Sequence, residues 1–356
     1  MKRIIILPLV ISMLLVSSCE KIFLEEDEAN TPINNFEIFW NDFDQHYSLF
    51  EVRRSNWDSI YNVYRPKVTE QTSDSELWNI FKSMITYLDD SHTMILQPKK
   101  DFDPDIHYFE SGSSEVEMVE EEFSLPLLTN KYLENISLLE NPKPGLIHLS
   151  AKIKDKNIGY IYLNAIEAEN PDFIDGIINQ LKNHKAIILD LRNNTGGSDP
   201  VATQIAGRFA TSEKLIYTVE ERNGPGHSDF SGKISYYSKK TGKTFYDKPL
   251  VVLTDKITVS AAEVLLLHLK SFEQVTQIGD VTAGDFSDTS MRRFLPNGWQ
   301  YRYSIFKFLL PNGKSLDGIG HIPNVYVRNT EDNIKNDEDK VIETAVQFLY
   351  DTYGIE

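Results

Sequence analysis

Residues 251–263 read VVLTDKITVSAAE, an apolar run that passes through a short polar turn into the opening of a helical pattern. The apolar run begins at Pro249 and ends at Leu253, and Ser260-Ala261-Ala262-Glu263 opens the helix. A hydroxyl therefore sits where a buried strand turns into a helix. S-x-x-E is the pattern of a capping box, in which Ser260 and Glu263 satisfy each other's backbone donors. It is also a place for a nucleophile, because the first amides of a helix lack intrahelical acceptors and point at whatever approaches. Ser260 would then attack a carbonyl while the amide of Ala261 receives the oxyanion.

Working outward, Ile158–Leu163 (IGYIYL) predicts a strand, Phe173–Leu181 a helix, residues 186–191 a strand and 201–209 a helix. Residues 215–219 and 250–253 predict further strands, and 261–269 a helix. Short apolar strands alternating with helices specify an α/β core with a mostly parallel sheet covered by helices. Ligands of such sheets bind beyond the carboxyl ends of the strands. Ser260 and the turn at 193–197 both fall there.

Upstream, residues 35–96 carry apolar side chains at helical spacing. Phe36, Phe39, Trp40, Phe43 and Tyr47 form one stripe, and Leu77, Ile80, Phe81, Met84 and Leu88 form another. They predict a small helical domain over 35–98, ending at the polar cluster Asp89-Asp90-Ser91-His92-Thr93. Residues 99–150 read as an irregular connecting segment, with the acids of 115–122 a solvated face. The α/β core is expected over 151–350.

The chain has 356 residues, 41% hydrophobic, with a formal net charge of -17. That balance argues against nucleic acid or an anionic membrane surface as a partner, since phosphate contacts need clustered Lys and Arg. No histidine, cysteine or carboxylate spacing suggests a metal site, and no cofactor is expected. Residues 1–18 read as a secretory signal: Lys2 and Arg3, a short apolar stretch, then small residues. Cys19 is the single cysteine. Val16-Ser17-Ser18-Cys19 resembles the lipobox of bacterial lipoproteins, which implies acylation of Cys19, a tether over 19–34 and a position on the envelope of a Gram-negative bacterium, attached to the membrane through lipid.

Asp190-Leu191-Arg192-Asn193-Asn194-Thr195-Gly196-Gly197 places a glycine pair after a buried strand, where backbone amides come close to a bound atom. Together with LDDSHT at 88–93, IGYIYL, VVLTDKITVSAAE, IGDVTAG at 278–284 and LDGIGHIP at 316–323, this order of motifs resembles the C-terminal processing (tail-specific) serine peptidases. The resemblance extends to their tricorn-type branch and to interphotoreceptor retinoid-binding protein. It implies a ClpP/crotonase-like α/β spiral behind a helical N-terminal domain.

The resemblance also implies roles. Ser260 maps onto the nucleophile. The lysine of the tail-specific T-x-G-K motif is replaced here, since Thr282-Ala283-Gly284 is followed by Asp285. The tricorn-type branch uses a histidine, a preceding serine and a later glutamate, which map onto His92, Ser91 and Asp317, the last one methylene short. Free imidazole titrates at about pH 6.5, which suits a general base near neutrality that later protonates the leaving amine. Ser91 or Asp317 would orient the ring, and the amide of Ala261 with that of Gly196 or Gly197 would form the oxyanion hole. Expected substrates are peptides or unfolded protein tails. No segment reads as a PDZ domain. The competing expectation is a binding lipoprotein that keeps the fold without the reaction.

Overall fold

The computed structural model describes residues 29–97, 107–112, 122–139 and 143–356. The signal segment, Cys19, most of the tether and the acids at 115–121 lie outside the described residues.

Three helices begin the described chain: α1 (Pro32–His46), α2 (Trp57–Tyr64) and α3 (Asp74–Thr86). Pro32 occupies the first turn of α1, where its missing amide is harmless, and Thr31 Oγ1 caps it by accepting from the Asn34 amide at 3.2 Å. Helix α3 opens on a full capping box: the Ser73 amide donates to Glu76 at 2.9 Å and the Glu76 amide to Ser73 Oγ at 3.3 Å. Strands β1 (Met94–Gln97) and β2 (His107–Glu110) follow as an antiparallel pair.

The central sheet has the order β14-β10-β9-β6-β5-β4-β3. Its members are β3 (Leu133–Leu138), β4 (His148–Ile153), β5 (Ile158–Leu163), β6 (Ala186–Asp190), β9 (Leu250–Thr254), β10 (Val275–Gly279) and β14 (Val325–Tyr326). Pairing is parallel from β14 through β5 and antiparallel from β5 to β3. The middle strands are buried on both faces, and their residues alternate between two cores. Ile161, Leu163, Ile187, Leu189, Leu250 and Val252 pack with α4 (Phe173–Leu181), α5 (Asp199–Gly207) and α6 (Ala261–Lys270). Tyr160, Tyr162, Ile188, Val251 and Leu253 face the other way, toward α7 (Lys340–Tyr353). Side chains of period two buried on both sides explain the unbroken apolar runs of the sequence.

The expected α/β core and helical N-terminal region are both present. The 215–219 strand is β7 (Lys214–Glu221), but it lies outside the central sheet. It pairs antiparallel with β8 (Ile234–Ser238) and β13 (Phe306–Leu309) in a separate three-stranded sheet. The segment expected to be irregular contributes β2 and β3; in β3, Ile136 and Leu138 are exposed, so that strand lacks the apolar alternation by which strands are read.

Strands β11 (Arg293–Phe294) and β12 (Gln300–Arg302) return to the N-terminal region, and β12 pairs with β1. Trp299, Tyr301 and Tyr303 complete the aromatic core of Phe36, Phe39, Phe43 and Phe81, so the helices share their core with a late hairpin.

Candidate active site

Ser260 stands between β9 and α6 with φ 59° and ψ -127°. A non-glycine residue at positive φ carries strain of order 1–3 kcal/mol and persists only where its surroundings impose it. Here they do. The Ser260 amide donates to the Asp285 carbonyl at 3.2 Å and to Glu263 Oε2 at 3.3 Å. The Glu263 amide goes to the Ser260 carbonyl at 2.8 Å, and Ser260 and Glu263 stand in the capping-box relation that their spacing predicts, without a full cap hydrogen bond to Oγ.

Glycine is required opposite. Gly196 has φ +86°, and a Cβ there would stand 2.6 Å from Ser260 Cβ and 3.1 Å from the Ala261 nitrogen. The glycine turn therefore lies directly against the serine and the first amide of α6. The Gly196 amide itself donates to Asn194 Oδ1 at 2.9 Å. Buried side chains lace this turn in place. Asn194 donates to the Leu163 carbonyl at 2.7 Å, and Asp255 accepts from the Asn193 amide at 2.8 Å. Beneath it, the buried Arg192 bridges Asp190 and Asp339, at 2.6 Å and 2.9 Å.

Glu263 is fully buried and accepts from Thr282 Oγ1 at 2.5 Å, Gly284 N at 2.8 Å and Asp285 N at 2.9 Å. Burial pushes its carboxyl up to about 8 despite these donors. Its structural result is to clamp residues 282–285 onto the start of α6.

His92 comes from the loop after α3. The buried Asp90 shapes that loop, accepting from the His92 amide at 3.0 Å and from Thr93 Oγ1 at 2.9 Å. Such local side-chain acceptors fix a turn where the helix stops. The imidazole is partly exposed, and its Nδ1 is buried without a hydrogen-bond partner among the described residues. The two distant segments meet at Asp285. Its carbonyl receives the Ser260 amide, and its Oδ2 receives Ser91 Oγ at 2.5 Å and the Ser91 amide at 3.3 Å.

Asp317 does not receive Ser91. It accepts from the Phe286 amide at 3.0 Å and from Ser315 Oγ at 3.1 Å, and burial pushes its carboxyl up to about 7. Arg53 carries no signal that singles it out in the sequence, because it acts through partners distant in the chain, whereas Asp90 and Asn194 lie inside motifs the sequence displays but have no role assigned to them there. His268 and His321 are buried and pushed down to about 4 and about 3, in keeping with structural roles.

A cavity of about 620 Å³ opens beside Gly197, lined by Leu146, Ala168, Glu169, Ser198 and Val201 among others. Among the described residues no group of three or more His, Cys, Asp or Glu side chains is arranged to hold a metal ion.

Residues 157–327 match Peptidase family S41, and residues 30–86 match the Tricorn protease C1 domain. A carboxyl-terminal-processing protease of Picosynechococcus sp. is 31% identical over 181 residues, covering 49% of this chain and 41% of that protein. Carboxy-terminal processing protease CtpB of Bacillus subtilis is 26% identical over 208 residues, covering 57% of this chain and 41% of the relative. The chain thus spans less than half the length of these curated relatives. The crystal structure of a candidate peptidase from Parabacteroides merdae ATCC 43184 is similar at a TM-score of 0.75 and 26% identity, over 90% of this chain and 97% of that one.

Proposed function

We propose that this chain is a serine peptidase that cleaves peptides or unfolded protein tails, a reading supported by the match of residues 157–327 to Peptidase family S41 and of residues 30–86 to the Tricorn protease C1 domain. The observation that carries the reading is Ser260 itself, held at positive φ at the head of α6 with Gly196 against it.

In the proposed reaction, Ser260 Oγ attacks the scissile carbonyl carbon as its proton passes to His92. The carbonyl oxygen takes the negative charge and is met by the amides of Ala261 and Gly197. Collapse breaks the C–N bond, the leaving amine takes the proton from His92, and an acyl-serine ester remains. Water, deprotonated by His92, then attacks the ester and releases the carboxylate product with Ser260 restored.

We also propose export and acylation at Cys19, which would tether the peptidase to the membrane of a Gram-negative envelope. The lipobox-like Val16-Ser17-Ser18-Cys19 supports this. Metabolic labelling with a fatty acid is expected to mark the wild type and not Cys19→Ser.

The catalytic reading is tested on the full chain in mild detergent with a fluorophosphonate probe. Wild type is expected to be labelled at Ser260, and Ser260→Ala and His92→Ala to lose labelling by at least about 10³-fold. An unlabelled wild type that leaves unfolded protein substrates intact points instead to a binding protein.

A further inference from the structure

We infer that Asp285, acting through Ser91, is the residue that positions the His92 imidazole, and that Arg53 fixes Asp285 in place. This rests on the reading of Ser260 and His92 as nucleophile and base.

Four sets of contacts carry it. Both donors of Ser91, its amide and its hydroxyl, converge on one oxygen of Asp285, at 3.3 Å and 2.5 Å. A residue held at backbone and side chain together has little freedom left, and His92 is its immediate neighbour. The other Asp285 oxygen accepts from Arg53, which is buried and also donates to the Gly284 carbonyl at 2.9 Å and to the Asp89 carbonyl. One guanidinium therefore joins the segment carrying Asp285 to the segment carrying His92. The Asp285 backbone is fixed on the nucleophile side: its carbonyl accepts from the Ser260 amide at 3.2 Å and its own amide donates to Glu263 at 2.9 Å. Finally, Asp317 spends its carboxylate on Phe286 and Ser315.

Among the described residues, Asp285 is thus the side chain bonded to the histidine's neighbour whose own backbone is bonded to the serine. A carboxylate in that place sets the distance and angle between base and nucleophile without touching substrate. A misplacement of about 1 Å at such a position costs about 10²-fold in rate. The groups facing Asp285 are Arg53, Ser91, Asp90 and His92, with Asp317 next to them.

The experiment compares Asp285→Asn, Ser91→Ala, the double variant and Asp317→Asn, each in the full chain, by steady-state kinetics on a fluorogenic peptide and by NMR of the His92 ring nitrogens. Asp285→Asn and Ser91→Ala are each expected to lower kcat about 10²-fold with KM changed less than about threefold. The double variant should fall no further than the worse single one, since both remove the same link. Both should move the His92 ring resonances, and Asp317→Asn should leave them in place. Wild-type kcat in Asp285→Asn overturns the inference, as do losses that multiply in the double variant. Should Asp285→Asn not fold, Ser91→Thr decides: it keeps the hydroxyl and must restore most of the rate that Ser91→Ala loses, and no restoration overturns the inference. If the wild type hydrolyses nothing and takes no fluorophosphonate, the failure lies with the nucleophile and base. The ring resonances then still decide Asp285, and their indifference to Asp285→Asn overturns its role.

Discussion

At the scale of single residues, the site depends on the space left by an absent side chain. Gly196 lets the turn after β6 press against Ser260, where any Cβ would meet Ser260 Cβ at 2.6 Å and the Val259 carbonyl at 2.8 Å. Both atoms belong to a segment already held by the Asp255, Asn194 and Asp285 bonds, so neither can retreat without moving the hydroxyl. Gly196→Ala is therefore expected to slow fluorophosphonate labelling by at least about 10²-fold. Its positive φ of +86° adds strain of about 1–2 kcal/mol for an alanine. Denaturant unfolding measures the second effect and labelling kinetics the first. A variant that is less stable yet labels at the wild-type rate would show that the turn only shapes the backbone. Ser260, His92 and Ser91 were legible as motif residues. The bond from Ser91 to Asp285 was not, because it joins positions 194 apart and sequence order carries no sign of such a contact.

At the scale of elements, legibility followed burial. Strands β5, β6 and β9 are covered on both faces and read as unbroken apolar runs. Strand β4 mixes His148 and Ser150 into its buried run, and β3 exposes Ile136 and Leu138, so neither offers the pattern a reader needs. Strand β7 was legible as a strand but its partners were not: periodicity reports which face is covered, and β8 and β13 are chosen by tertiary packing. The same holds for the helical region, whose core is completed from residues some two hundred positions later. Trp299 stands edge-on to Trp78 at 5.5 Å and to Phe81 at 5.9 Å, both on α3. Because α3 leads into the His92 loop, Trp299→Ala is expected to lower stability by about 3–5 kcal/mol. Fluorophosphonate labelling should slow in parallel, whereas Leu138→Ala, at an exposed position, should leave both unchanged. Urea titration and labelling on the same preparations check the pair, and a loss of stability with unaltered labelling would separate α3 from the site.

For the whole molecule, buried ionisable groups set how stability depends on pH. Burial pushes the carboxyls of Glu263 and Asp317 up to about 8 and about 7, and that of Asp255 up to about 6. A carboxyl with a higher pKa folded than unfolded binds more protons in the folded state over the interval between. Its contribution is complete below the ordinary carboxylate range and is lost as pH rises through the folded value. His268 and His321, pushed down to about 4 and about 3, have the opposite slope: the unfolded chain binds their protons first, so stability rises with pH until it passes the ordinary histidine value of about 6.5. Above that point the histidines are neutral in both states, and of these groups only the carboxyls still change. The melting temperature is therefore expected to fall between about pH 6.5 and pH 8, each fully buried carboxyl contributing about 1.4 kcal/mol per pKa unit traversed. Asp317→Asn keeps the acceptor for the Phe286 amide and removes one titration, so it should flatten the slope. Scanning calorimetry at constant ionic strength measures it, and a melting temperature that climbs across the interval would mean that the donors around Glu263 and Asp317 hold both groups ionised despite their burial.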